Sequence, residues 1–374
     1  MLTNLYIHLY LIFFIVTAIL AIFTEDNSRY VYWFCVLLLL TIVCFKPIGS
    51  YPDDVSYLQL LQYFRTDNLS QENQGRDYLY YYLAESLSFI MGDKAALISI
   101  SLISISIKCF VIGKMSKYSL TALLVYVAFC IQLIDLTALR TSLSTAFIFL
   151  AIYYYSKKGY VRSAFYYICS FLSHIQTLLI LPIFLMLHKV LYKYRYFIIV
   201  GSVTFGLLKL FPFGDLTTTG FAPLDLYLTQ LHNGLEEKIN LLRLSTIAAL
   251  FLIIWIDYQH KNKSDWYKRV FMAALLSQLS IFLFYWFPVL AGRLADLLLS
   301  FMIIYFALSF RKINLYQKLA IIVIAFLINI NYMYVNPLFM RDGNPLALLR
   351  STSPTLSYEI KQYSNTSNRY YSML

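Results

Sequence analysis

Two arginines and a histidine stand at the ends of long apolar runs, and their types suit one chemistry. Arg140 lies in "DLTALRTSLSTAFIFLAIYYY", His174 in "FLSHIQTLLILPIF" and Arg293 in "FPVLAGRLADLLLSF". A guanidinium stays charged and offers two parallel hydrogen bonds, which fits a phosphate or pyrophosphate group. A neutral imidazole can take up a proton near neutral pH. Acids stand nearby in sequence: Asp53 and Asp54 in "GSYPDDVSYLQLL", and Asp135 five residues before Arg140. Each residue also has a plainer use, such as snorkelling to lipid phosphates, pairing with Asp135 or Asp296, or a structural hydrogen bond. Those uses lose force if all three residues fall at one level of the molecule.

The runs that carry them set that level. Of 374 residues, 60% are hydrophobic and 13% charged, against about 25% charged in an ordinary soluble domain. Near-uncharged runs of about 17–20 residues match the hydrocarbon thickness of a bilayer. They fall near 5–23, 30–45, 95–113, 118–134, 140–156, 160–173, 175–188, 196–213, 241–257, 270–288, 294–310 and 319–335. The expectation is an all-α polytopic membrane protein with about 12 transmembrane helices (range 10–13), residues 1–374 forming one integral membrane domain. The two short runs 160–173 and 175–188 could also form one kinked helix. The first residues lack a basic region and a small-residue cleavage site, so no cleavable signal peptide is expected.

Charge orients the spans. The loops "EDNSR", "GKMSK", "SKKGYVR", "HKVLYKYR", "HKNKSDWYKR" and "RKINLYQK" hold 16 of the 30 Lys and Arg and few acids, which assigns them to the cytoplasm. The stretch 46–94, the turn at 135–140, the point near His174, the loop 214–240, the turn "PVLAGR" and the tail 336–374 then face the periplasm. This requires residues 78–91, rich in Tyr and carrying Glu85, to lie as an interfacial helix instead of crossing. Arg140, His174 and Arg293 all fall at the periplasmic level under this scheme, with Asp53 and Asp54. A single cavity open to that face could hold them, and the head group of a lipid-linked pyrophosphate lies at the same depth.

Several classes of function lack support. Cys35, Cys44, Cys109, Cys130 and Cys169 fall within spans without paired spacing, and the histidines show no ligand spacing; neither a metal site nor another cofactor is expected. No phosphate-cradling glycine loop, Walker motif or Ser-His-Asp pattern stands out. The net charge of +11 comes from the basic loops, so nucleic acid is not an expected partner. A secondary transporter or a flippase of lipid-linked oligosaccharides predicts paired broken helices or related halves, and no internal repeat is evident. An acyltransferase is a weaker alternative.

The order of short motifs resembles a known family. An early "D-x-x-Y" (Asp54 with Tyr57), an "R-x-x-x-(A/S)" at the head of a span (Arg140), an "SH" element followed by "LP" (His174, Pro182) and a late "R-L" (Arg293) resemble the EpsG branch of the Wzy-type polymerases of bacterial surface polysaccharide. Many relatives carry "E-P" before the segment matching 78–91, where this chain has "GRDYLYYYLAESL"; Asp77 or Glu85 could stand in for that acid. The resemblance implies a multi-span, GT-C-like glycosyltransferase with a periplasm-facing cavity in the bacterial inner membrane. It implies an undecaprenyl-diphosphate-linked oligosaccharide as donor and another as acceptor, membrane lipids as surroundings, and a chain-length regulator protein as a further partner. His174 and Asp54 would then be candidate proton acceptors, and Arg140 and Arg293 would hold the pyrophosphate without a metal. Asp53, Tyr57, Asp77, Glu85 and Asp135 would support the acceptor or the site. An O-antigen ligase shares this donor chemistry and is the nearest alternative, although it typically carries one large outer loop.

Overall fold

The computed structural model describes residues 2–23, 29–48, 52–65, 77–186, 189–208, 241, 243–260, 263–285, 287–310 and 314–335, and every structural statement concerns these. The loop 214–240, the tail 336–374 and part of the 46–94 stretch lie outside them. All the regular structure among the described residues is helical, as a bilayer requires of any backbone that cannot close into a barrel.

The chain begins with α1 (Leu2–Phe23) and α2 (Arg29–Cys44), followed by the shorter α3 (Pro52–Arg65) and α4 (Tyr78–Met91). Gly92, at φ +86°, turns α4 into α5 (Asp93–Met115), a left-handed geometry that glycine adopts without strain. Next come α6 (Ser119–Tyr126), which widens into a π-helical stretch (Val127–Asp135), and α7 (Leu139–Ser156). The hairpin partner of α7 is α8 (Tyr160–Ser173), which stops at His174. His174 is extended, at φ −159° and ψ 109°. The chain resumes as a 3₁₀ turn (Ile175–Leu179) and α9 (Ile180–Met186). The two short runs are therefore separate segments, since an extended residue interrupts the ladder where a kink would only bend it.

The rest comprises α10 (Lys189–Lys193), α11 (Arg195–Leu207), α12 (Leu244–Gln259), α13 (Asp265–Leu283), α14 (Pro288–Ser309) and α15 (Leu315–Val335). Ser264 caps α13 by accepting from the Tyr267 N–H at 3.1 Å, and a proline at the first turn of α14 suits a helix start. Gly206 lets α11 approach α13 closely; a Cβ there would meet the Phe282 carbonyl oxygen at 2.8 Å. Tyr6–Phe23, Asp93–Met115 and Leu290–Ser309 are each long and apolar enough to cross a bilayer, and several shorter apolar helices accompany them. The chain is a helical membrane protein.

Two buried ion pairs fix the turn that precedes α7. Lys46 Nζ reaches Asp54 at 2.8 Å and also donates to the Leu136 carbonyl. Lys108 of α5 pairs with Asp135, which accepts further bonds from Tyr126 and Ser142. Charges this deep persist only when paired and hydrogen-bonded. Both clamps close on residues 135–142, so the head of α7 is held from two sides. A small apolar cluster of Tyr57, Leu61, Tyr80, Ala84, Leu97, Ile100, Leu139 and Leu143 packs α3 and α4 beneath the same point. A separate acidic centre serves another end of the bundle: Asp257 of α12 accepts from Tyr192 and Arg195 and pairs with Lys263.

Candidate functional site

A cavity of about 190 Å³ opens at the N-terminal end of α7, lined among others by Asp53, Tyr57, Arg140, His174, Gln176, Arg293 and Asp296. Its walls come from α3, the first turn of α7, the break after α8 and the second and third turns of α14. The three residues with which the sequence is most suggestive, Arg140, His174 and Arg293, thus share one space. A larger cavity of about 300 Å³ lies toward the other end of α7, between residues such as Ile152, Tyr155, Ile180, Phe184 and Trp266. Its lining is apolar, and the chemistry belongs to the smaller one.

Asp77 organises the site from just outside the cavity. Its carboxylate accepts from Arg140 Nη1 at 3.0 Å and from the Ile175 N–H at 2.8 Å, and His174 Nδ1 lies 3.4 Å from it. One carboxylate therefore holds the arginine, faces the imidazole and satisfies the first amide after the helix break, which has no intrahelical acceptor. Asp77 precedes α4 in the left-handed region, at φ +60° and ψ +40°. Aspartate tolerates that conformation better than most residues, and backbone strain of this kind concentrates at functional positions.

The electrostatics follow from these contacts. Burial favours the neutral form of Asp77, but the bonds from His174 and Ile175 and the charge of Arg140 outweigh it and hold the carboxyl below the usual carboxylate range. Asp53 shows the opposite balance: burial pushes its carboxyl up, against the pull of Arg140. Tyr57 is pushed up to about 12 by burial, so its phenol stays protonated beside the guanidinium. The Arg140 side chain keeps 39% exposure, which leaves guanidinium surface open to a ligand while Asp77 anchors one edge.

The remaining sequence candidates separate into those at the cavity and those away from it. Asp53 lines the cavity, but Asp54 does not; it is fully buried against Lys46. Consecutive residues of a helix point about 100° apart, so only one acid of the pair can face the site. Asp135 is buried with Lys108 and does not pair with Arg140, whose ion-pair partner is Asp77. Glu85 is exposed two turns along α4 from Asp77, so Asp77 is the acid of this segment that meets the site. Gln176, 3.2 Å from His174 Nε2, and Asp296 were not singled out from the sequence as site residues. Asp296 lies three positions after Arg293, a spacing that puts two helix side chains on neighbouring faces. Among the described residues no group of three His, Cys, Asp or Glu side chains is arranged to hold a metal ion.

Fold and site define a helical membrane protein with a polar, arginine-bearing cavity at one end of its bundle. The chain belongs to the EpsG family, whose model matches residues 29–348, a range that includes every cavity residue. Membership suggests a polysaccharide polymerase-like role and associates the chain with glycosyl transfer. No curated protein and no solved structure matches it.

Proposed function

We propose that the protein polymerises oligosaccharide repeat units carried on undecaprenyl diphosphate, building O-antigen or a related surface polysaccharide at the periplasmic face of the bacterial inner membrane. The observation that carries this reading is the meeting of Arg140, Arg293 and His174 in one cavity. Two guanidinium groups and an imidazole match a reaction in which a lipid diphosphate leaves and a hydroxyl loses a proton. The acceptor hydroxyl oxygen attacks the anomeric carbon of the donor sugar, and the bond from that carbon to the diphosphate oxygen breaks. The electron pair passes to the leaving diphosphate, where fixed positive charge from Arg140 and Arg293 stabilises the transition state. His174 accepts the hydroxyl proton, and the Asp77 carboxylate facing Nδ1 orients the ring and favours the resulting cation. Asp53 is the acid of the Asp53–Asp54 pair that lies within reach of the same space.

The test is turnover by purified protein in detergent, supplied with lipid-linked repeat unit from a strain that lacks this chain. A ladder of lengthened glycans with release of undecaprenyl diphosphate is expected. Transfer of intact glycan to a core lipid without lengthening would make the protein a ligase, and absence of both products would overturn the reading.

A further inference from the structure

A second cavity, with both polar and apolar walls, adjoins the first through one residue. It encloses about 210 Å³, and its lining includes Arg243, Thr246, Gln278, Phe129, Gly292 and Asp296. Asp296 belongs to both cavities. Helix geometry explains how: at about 100° per residue, Gly292, Ala295 and Leu299 present one face of α14 to the second cavity, and Arg293 and Leu297 present the neighbouring face to the first. Asp296 falls on the edge between these faces. The rest of the second cavity comes from the first turn of α12, the last turns of α13 and the π-helical stretch, all at the end of the bundle where α7 begins.

Within the fold the Gln278 amide nitrogen donates to Ser277 Oγ at 3.0 Å and to Met302 Sδ at 3.5 Å, and the same residue lines the second cavity. Thr246 and Gln278 are 2% and 6% exposed, and polar side chains so deep in an apolar bundle are expensive to maintain. With Asp296 and Arg243 they bring hydroxyl, amide, carboxylate and guanidinium groups to a space whose other walls are largely apolar, among them Phe129, Leu133, Ile281 and Leu299. Hydrogen-bonding groups of mixed character around an aromatic wall suit a saccharide. They lack the clustered positive charge that a diphosphate requires. Each cavity is small for a ligand site, and only the two together reach the range of about 300–1,000 Å³ typical of such sites.

We infer that the second cavity binds the acceptor saccharide, and that Asp296, in the shared wall, holds the acceptor hydroxyl facing the donor's anomeric carbon. This rests on the polymerase reading and divides its site into a diphosphate half and a saccharide half. The bonds made and broken are those of the transfer already described; Asp296 positions the hydroxyl, and its proton passes to His174.

The experiment uses two separate probes on purified full-length protein: undecaprenyl diphosphate without sugar, and the free repeat-unit saccharide released from its carrier by mild acid. Asp296→Asn and Thr246→Val are each expected to weaken saccharide binding at least tenfold, and Thr246→Val, which lines only the second cavity, to leave diphosphate binding within twofold of wild type. Arg140→Lys is expected to do the reverse. In turnover, Asp296→Asn raises KM for the acceptor more than KM for the donor. A variant pair that leaves saccharide binding unchanged, or that weakens the diphosphate instead, overturns the assignment. Wild-type protein that lengthens glycans but shows no saccharide binding also overturns it. Failure of wild type to lengthen glycans or bind the diphosphate counts against the polymerase reading itself.

Discussion

Asp77 and Arg140, 63 positions apart in the chain, meet at 3.0 Å, and the same carboxylate accepts the N–H of Ile175 at 2.8 Å. That contact joins the start of α4 to the head of α7 and to the break after α8. Its consequence is that one acid sets the relative positions of a cation and a titratable ring. Removal of its charge should therefore disturb function before it disturbs the fold.

Asp77→Asn is the sharp form of that test. Asparagine tolerates the left-handed backbone at φ +60° and can still accept from Ile175, but it no longer offers Arg140 a charge. The variant should insert normally, with glycan lengthening reduced roughly ten- to a hundredfold, since a hydrogen bond to a charged group is worth about 1.5–3 kcal/mol. Asp77→Ala should be worse. Steady-state turnover at matched membrane yield measures this, and full activity in Asp77→Asn would reduce Asp77 to a helix-end residue.

The same contact makes stability depend on pH. The Asp77 carboxyl is held below its ordinary value of 3.8 in the folded protein, so its contribution is present above the unfolded value and lost as pH falls through the folded one. The stabilising difference in melting temperature between wild type and Asp77→Asn should be present at about pH 5. It should shrink below about pH 3.8. A difference that instead grows with acidity would reverse the sign and discard the assignment.

Neighbouring acids should behave differently. Asp54→Asn leaves Lys46 buried without its carboxylate, a change that typically costs about 3–5 kcal/mol. Low membrane yield or a large fall in melting temperature is expected, and Lys46→Met with Asp54→Leu should recover much of it. Asp53→Asn should give normal yield with altered turnover, because Asp53 faces the cavity. A stable but inactive Asp54→Asn would return Asp54 to the chemistry.

Orientation can be checked at two exposed positions. In a background lacking the five cysteines, Tyr78→Cys should react with an impermeant maleimide in cells whose outer membrane has been permeabilised, and Lys157→Cys should not. Tyr78 begins α4 beside Asp77, and Lys157 follows α7 at its far end. The opposite labelling pattern would invert the topology drawn from the basic loops.

Much of this was legible in the sequence, for identifiable reasons. Apolar runs report helices directly, because a bilayer leaves the backbone few alternatives, and the break at His174 was visible as a polar step between two runs. Arginine and histidine at run ends pointed to a shared cavity because two Arg and a His recur at one level, and the structure brings the three together. Helix phase was not legible: nothing in "YPDDVSY" tells which aspartate faces the cavity and which pairs with Lys46. Long-range pairings were hidden as well, so Asp135 looked like a partner for Arg140 when Lys108 takes it, and Asp77 gave no sign that it reaches His174. The second cavity escaped notice because Arg243, Gln278 and Asp296 lie on three elements, each unremarkable alone.

The central claim is that Arg140 grips a leaving diphosphate with its planar fork, and Arg140→Lys tests it most directly. Lysine keeps the charge and can snorkel as arginine does, but it cannot make the bidentate contact. The measurement is glycan lengthening by purified Arg140→Lys protein on lipid-linked repeat unit, alongside the band ladder from cells at matched expression. A loss of roughly ten- to a hundredfold is predicted, with Arg140→Ala lower still and Arg293→Lys similar. A full ladder and near-normal turnover from Arg140→Lys would show that charge alone suffices and would contradict the account.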